Sequence, residues 1–164
     1  MLSVSEAIAT LLASSKRLVE REMIDLIDAS GRTLANDIVA HIDVPPADNS
    51  AMDGYAIRFQ DWSGSGSGIP VSQRISAGTV PAKLEPGTAA RIFTGAELPP
   101  GADTVVMQEH CEESGGVLQI RKLPVPGANI RRRGQDLSSG QKVLSRGRRL
   151  RAQDLGLAAS LGLA

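Results

Sequence analysis

Asp53, Thr94 and Asp136 are the side chains in this sequence whose types and surroundings could do chemistry. Asp53 and Thr94 each stand directly before a glycine, and Asp136 lies two residues after one. Two carboxylates with a hydroxyl can hold a divalent cation through oxygen ligands, position a water, or orient a phosphoanhydride, and residue types alone leave all three open. The competing account is conformational, since Asp-Gly and Thr-Gly pairs are ordinary turn formers. Arg131-Arg132-Arg133 is the second constellation. A guanidinium offers two parallel donors that suit phosphate and tetrahedral oxyanions. On a strand, Arg131 and Arg133 share one face and Arg132 takes the other, where it can pair with an acid. Glu109-His110-Cys111-Glu112 has the letters of a metal or thiol site. With no second Cys and no spaced His it lacks the ligand count for zinc, and no base stands near for a nucleophile, so a structural role is expected. Met52 is read as packing.

These residues sit in three motifs. In the first, Asp43-Val44-Pro45-Pro46 enters as a stiff extended arm, Asp48-Asn49-Ser50 favours turns or caps, and Tyr55, Ile57 and Phe59 alternate with Ala56 and Arg58 as a strand leaving the turn. The stretch Asp48-Asn49-Ser50-Ala51-Met52-Asp53-Gly54-Tyr55-Ala56 resembles the signature of the molybdopterin molybdenumtransferases, the MoeA family that includes the E domain of gephyrin. Two further stretches resemble that family in the same order. They are Arg91-Ile92-Phe93-Thr94-Gly95-Ala96, with Pro99 and Gly101 to Glu109 behind it, and Asn129-Ile130-Arg131-Arg132-Arg133-Gly134-Gln135-Asp136.

The resemblance implies that Asp53, Thr94 and Asp136 face an active cleft. It makes Asn49, Ser50, Arg131 and Arg133 substrate-binding positions. The implied reaction inserts molybdenum from molybdate into adenylylated molybdopterin, releasing AMP and the molybdenum cofactor, with Mg2+ as cofactor. It further implies a homodimer whose cleft lies between the β-domain of one subunit and the pterin-binding domain of the other. Molybdopterin adenylyltransferase is implied as an upstream partner. In the family a linker, the pterin-binding domain and a C-terminal domain would follow this stretch, so the chain alone is expected to be inactive. A non-catalytic dimerisation or scaffold module working only with a partner chain is the rival reading. An unrelated β-protein would need three ordered matches to be coincidence. Molybdate and tungstate are not separable from sequence.

The elements that must position these residues come from a chain of 164 residues with seventeen Gly, nine Pro and only one Trp, one Tyr and two Phe. Such a composition suits a turn-rich β architecture whose core is built from Ala, Val, Ile and Leu. Net charge is zero, which gives no case for nucleic acid or membrane binding, although residues 121–151 hold ten Lys or Arg against one acid. A lone cysteine, no signal-like N-terminus and no apolar run long enough for a bilayer point to a cytoplasmic protein.

Ser3-Val4-Ser5-Glu6 has capping-box spacing ahead of apolar residues at helical intervals, which predicts an amphipathic helix. Met23, Leu26 and Ile27 predict a short strand, Asp28 a cap for a brief helix through Leu34, and Ile38 to Ile42 another strand. Trp62 to Gly68 reads as a mobile hairpin loop rather than a phosphate cradle. Val71 to Ile75, Ala89 to Phe93, Thr104 to Gln108 and Val117 to Leu123 are further strands. After the Pro124-Val125-Pro126-Gly127 break, Gly140 to Leu144 and Gly147 to Leu150 read as turn and strand. Ala152 to Leu161 reads as a helix closed by Gly162, with Arg151 where a capping hydroxyl would be expected. The fold class expected is α+β, mainly β. A β-rich domain (residues 47–137) is inserted into an elongated mixed scaffold (residues 1–46 and 138–164).

Overall fold

Gly54–Ile57 is buried at every residue, as only a strand covered on both faces can be. In the computed structural model, which describes residues 2–16, 19–64 and 68–164, this strand lies inside a six-stranded sheet. Counted in chain order the strands are β1 (Ile38–Val39), β2 (Asn49–Ser50), β3 (Gly54–Ile57), β4 (Ile69–Ile75), β5 (Ala89–Ile92), β6 (Thr104–Met107), β7 (Cys111–Ser114), β8 (Val117–Ile120), β9 (Ile130–Arg131) and β10 (Lys142–Leu144). The helices are α1 (Val4–Ser14) and α2 (Ala152–Ser160). Thus the described residues are mainly β with two helices, the class expected.

The chain divides into two units, residues 1–38 with 144–164 and residues 39–143. In the second unit the sheet order is β6-β3-β5-β4-β8-β7, antiparallel throughout except for the parallel β4–β5 pair. Side chains alternate across this sheet into two cores. Ala56, Ile75, Ala90, Ile92 and Val105 go to one side with Leu84, Ala96 and Leu98, and Tyr55, Ile57, Ala89, Val106, Leu118 and Ile120 go to the other. Two-residue strands β2 and β9 pair antiparallel, Asn49 opposite Arg131, which ties the first motif to the third.

In the first unit the capping box is present: Ser3 Oγ accepts from the Glu6 N–H and Glu6 accepts from the Ser3 N–H at 2.7 Å. The expected strand around Met23 to Ile27 does not form. Leu26–Asp28 is a single 3-10 turn, Met23 and Ile27 are almost fully exposed, and the brief helix expected after Asp28 is replaced by a turn. Without a partner strand, an apolar triplet has nothing to hold it extended. The strand expected to run to Ile42 ends at Val39, where β1 pairs with β10. The loop expectation for Trp62 to Gly68 falls partly on residues 65–67, outside the described residues.

At the start of α2, Arg151 cannot act as an accepting cap because a guanidinium only donates. Asp154 takes over: its buried carboxylate accepts from the Arg151 N–H at 3.0 Å and from Arg148 at 2.8 Å. Arg148 first, then the Arg151 donors, hold the carboxyl at about 2, against an ordinary 3.8. A carboxyl bound more weakly to its proton when folded stabilises the fold while ionised. Its contribution is therefore complete above pH 3.8 and disappears as the pH falls through about 2. Asp154→Asn is expected to lower the thermal midpoint by several degrees at pH 7, with the difference from the parent shrinking toward pH 2. Parallel melts across that range check it.

Candidate functional site

Asp53 follows the β2 turn and Thr94 follows β5, yet the two side chains meet across 41 positions of sequence. Asp53 Oδ1 accepts both the Thr94 N–H at 2.8 Å and the Thr94 hydroxyl at 2.7 Å. The other oxygen, Oδ2, has no hydrogen bond among the described residues. Thr94's backbone donor above all, then its hydroxyl, holds the Asp53 carboxyl below its usual range, with the Arg91 charge adding to the effect. Asp53 is therefore a fixed carboxylate at neutral pH with one oxygen turned away from its anchor.

The frame around it is rigid for identifiable reasons. Gly54 passes so close to β6 that an added Cβ would lie 2.0 Å from the Val106 carbonyl oxygen. Gln108 donates its N–H to the Asp53 carbonyl at 3.0 Å. Arg91 bridges the two segments, donating to the Gly54 carbonyl at 2.8 Å and to Gln108 Oε1 at 2.6 Å. Ser50 is buried, and its hydroxyl closes the turn by donating to the Met52 carbonyl at 2.5 Å and accepting the Met52 N–H at 3.3 Å. In its better-satisfied orientation the Asn49 amide donates back to the Asp48 and Ala47 carbonyls, at 3.1 and 3.2 Å. Both of these expected substrate-binding side chains are thus turned onto their own loop. Met52 is partly exposed at the same turn.

Asp136 stands in a different neighbourhood, against Arg131. The strand expected to carry three arginines ends at Arg131, and residues 132–135 form a turn closed by the Gln135 side chain on the Arg132 N–H at 3.0 Å. Arg131 and Arg133 consequently do not share a strand face. Each arginine pairs with its own carboxylate: Arg131 with Asp136, Arg132 with Asp48 at 2.6 Å, and Arg133 with Asp43 at 2.6 Å. Asp48 is held below its usual range chiefly by the Arg133 N–H, and Asp43 chiefly by the Ser139 N–H with Arg133 second. The basic run is neutralised by these three acids, so an anion would have to displace a carboxylate to reach it. What the sequence left undistinguished is that Arg74 and Arg91, on adjacent strands, have no carboxylate within ion-pair distance among the described residues.

No group of three or more His, Cys, Asp or Glu side chains among the described residues is arranged to hold a metal. Cys111 begins β7, and burial pushes its thiol up to about 11, so it is no nucleophile at neutral pH. No helix among the described residues is long and apolar enough to cross a membrane.

The sequence from residue 2 to 162 matches the family model described as "MoeA N-terminal region (domain I and II)". The chain belongs to the MoeA family. This MoeA chain is 40% identical over 159 residues to Molybdopterin molybdenumtransferase 2 of Mycobacterium tuberculosis, covering 94% of itself and 39% of that relative. It is 39% identical over 166 residues to the molybdopterin molybdenumtransferase of Haemophilus influenzae, covering 100% of itself and 41% of that protein. Its fold is similar to the crystal structure of the molybdopterin biosynthesis MoeA protein of Pyrococcus horikoshii OT3. There the TM-score is 0.80 at 37% identity, over 87% of this chain and 39% of that one. The MoeA chain thus spans about two fifths of the length of the relatives it matches.

Proposed function

We propose that this chain supplies the Asp53–Thr94 side of a site that inserts molybdenum from molybdate into adenylylated molybdopterin, releasing AMP and the molybdenum cofactor. Membership of the MoeA family supports molybdenum cofactor biosynthesis. The observation that carries the finer reading is the Asp53 carboxylate, fixed on one oxygen by two Thr94 donors and left with the other unengaged. A turn-forming Asp would bond to its own loop. This one is held from a strand end 41 positions away. Thr94 orients the carboxylate and keeps it ionised, so it can align a phosphoanhydride or accept a proton with little reorganisation.

Mg2+ is the cofactor of this reading, and the donor set constrains how it would be held. One available carboxylate oxygen does not make a protein cage, but Mg2+ commonly takes one or two carboxylates and completes its octahedron with water and substrate phosphates. Asp53 Oδ2 fits that part. When bound, the ion would neutralise phosphate charge. Asp136, with Arg131, Arg132, Arg133 and their acids, would order the neighbouring loop and bind substrate only by exchanging a carboxylate for the substrate's anion.

The reading includes a cytoplasmic homodimer, fed by a molybdopterin adenylyltransferase. Support for assembly comes from α1, which buries none of its residues and leaves Val4, Ile8, Leu11 and Leu12 exposed. The test is cofactor formation from molybdate and adenylylated molybdopterin by the purified chain, with and without the stretch that the longer relatives carry beyond the matched region. Sedimentation of both preparations reports the assembly state. The chain alone is expected to form no cofactor, and the supplemented preparation to form it as a dimer. Full turnover by the chain alone, or none in a properly assembled supplemented preparation, would contradict the reading, the second result favouring a scaffold role.

A further inference from the structure

Arg74 and Arg91 are register partners on the parallel strands β4 and β5, so their side chains leave the same face of the sheet. Both guanidinium carbons lie 4.5 Å from the centroid of the Phe93 ring, two residues beyond Arg91 on that face and next to Thr94. Like charges side by side on neighbouring strands repel. Elsewhere in the chain Arg58, Arg121, Arg131, Arg132, Arg133 and Arg148 have each met a carboxylate. Here the carboxylates nearby are held by other donors, Asp53 by Thr94 and Glu113 by the Tyr55 hydroxyl at 2.7 Å. Arg91 is fixed instead by neutral acceptors, the Gly54 carbonyl and Gln108 Oε1, with its ring contacts to Tyr55 at 5.2 Å and to Phe93. Its position is settled, and the carboxylate its charge acts on, Asp53, is not within ion-pair distance among the described residues. Arg74 is exposed and has no hydrogen bond among the described residues, so its whole fork is available.

We propose that Arg74 and Arg91, braced on Phe93, form a binding site for a tetrahedral oxyanion, either a phosphate group or molybdate. An anion that reaches both forks at the edge of the Phe93 ring would receive charge-assisted hydrogen bonds from each and offset their repulsion. Arg91 brings geometry that is already fixed, and Arg74, stacked on Phe93 and exposed, adds its unbonded fork from the solvent side. The arginine cluster at Arg131 to Arg133 offers no unpaired guanidinium of this kind, because each of its members already meets a carboxylate. The binding site stands on this geometry alone. Its assignment to the oxyanion that reacts beside Asp53 rests on the function proposed above.

The test is equilibrium titration of the chain with molybdate, inorganic phosphate and AMP, repeated on Arg74→Gln, Arg91→Gln, Arg91→Lys and the distant control Arg121→Gln. At least one of the three anions is expected to saturate a single site. Each Gln substitution should weaken it by about tenfold or more, and Arg91→Lys, which keeps the charge but loses the fork, by an intermediate factor. Arg121→Gln should leave it unchanged. Preference for AMP over molybdate assigns the site to a nucleotide phosphate, and the reverse order assigns it to the metal oxyanion. Arg74→Gln decides the matter even if Arg91→Gln disturbs the strand, because Arg74 is exposed and has no hydrogen bond or ion pair among the described residues. Saturable binding unaltered by Arg74→Gln, or no binding of any of the three, overturns the proposal. Loss of anion binding with no cofactor formation in the supplemented assay of the parent would sink the function and leave this site standing. Cofactor formation together with indifferent Arg variants would do the opposite.

Discussion

Gly54→Ala is expected to remove much of the stability of the unit built from residues 39–143. The new methyl carbon would lie 2.0 Å from the Val106 carbonyl oxygen, 2.9 Å from its carbon and 3.2 Å from the Met107 Cα, all backbone atoms of the paired strand β6. Neither partner can yield by rotating a side chain, and β3 is also paired to β5 on its other edge. Separating the strands breaks the ladder between edge strand β6 and β3 and opens both cores at once, since β6 sends Val105 to one and Val106 to the other. Overpacking at sites with some freedom costs about 1–3 kcal/mol, and a clash between the backbones of two paired strands belongs at or above the top of that range. Against a total stability of about 5–15 kcal/mol, that removes much of the margin. Gly156 in α2 is the contrast, since a Cβ there meets nothing within 4 Å. Gly156→Ala should be neutral or stabilise by up to about 1 kcal/mol through helix propensity. Urea denaturation of the two variants beside the parent checks the pair. A Gly54→Ala midpoint equal to the parent's would show that the β3–β6 approach is looser than described.

Asp53→Asn is the second large effect, and it falls on activity instead of folding. Asn keeps an oxygen where Oδ1 accepts the Thr94 N–H and hydroxyl, so the anchor survives. It puts an amide donor where Oδ2 was and removes the charge. If the carboxylate orients a phosphoanhydride, moves a proton or holds Mg2+, cofactor formation in the supplemented assay should fall by about a hundredfold or more, the scale for losing a positioned acid-base or charge-stabilising group. If Asp53 were a turn former only, Asn before Gly54 would serve equally well and the rate would not change.

Several elements could be read from the sequence because local chemistry decides them. α1 is visible in the Ser3–Glu6 spacing, β4, β6 and β8 in their β-branched residues, and β5 as a short segment between the Gly and Pro turns. β3 was found, but its alternation misled: Ala56 is as buried as Tyr55 and Ile57, since the strand is covered on both faces, and Phe59 has already left it for a 3-10 turn. β7 was missed because Cys-Glu-Glu-Ser is a polar edge strand. The signal that could have found it is Gly115-Gly116, both with positive φ, the two-residue turn of a β7–β8 hairpin. β2 and β9 are two residues each, too short for any periodicity to show. At the site, Asp53 and Thr94 were singled out separately through their motifs, but that one oxygen takes both Thr94 donors is a tertiary fact. The pairing of Arg131, Arg132 and Arg133 with Asp136, Asp48 and Asp43 was equally hidden, because acids up to 90 positions away decide it. Arg74 drew no notice because nothing in the sequence around it marks it. Only the β4–β5 register brings it beside Arg91.

The measurement that bears most directly on the central claim is a double-mutant cycle on Asp53→Asn and Thr94→Val, with cofactor-formation rate and thermal midpoint taken on the same preparations. Thr94→Val removes the hydroxyl that orients the carboxylate while keeping the backbone donor and the side-chain shape. If the pair acts as one unit, Asp53→Asn lowers the rate by about a hundredfold, Thr94→Val by about tenfold, and the double variant falls no further than Asp53→Asn alone, with midpoints near the parent's. An unchanged rate in Asp53→Asn, losses that multiply in the double variant, or a rate loss matched by a collapsed midpoint would contradict it.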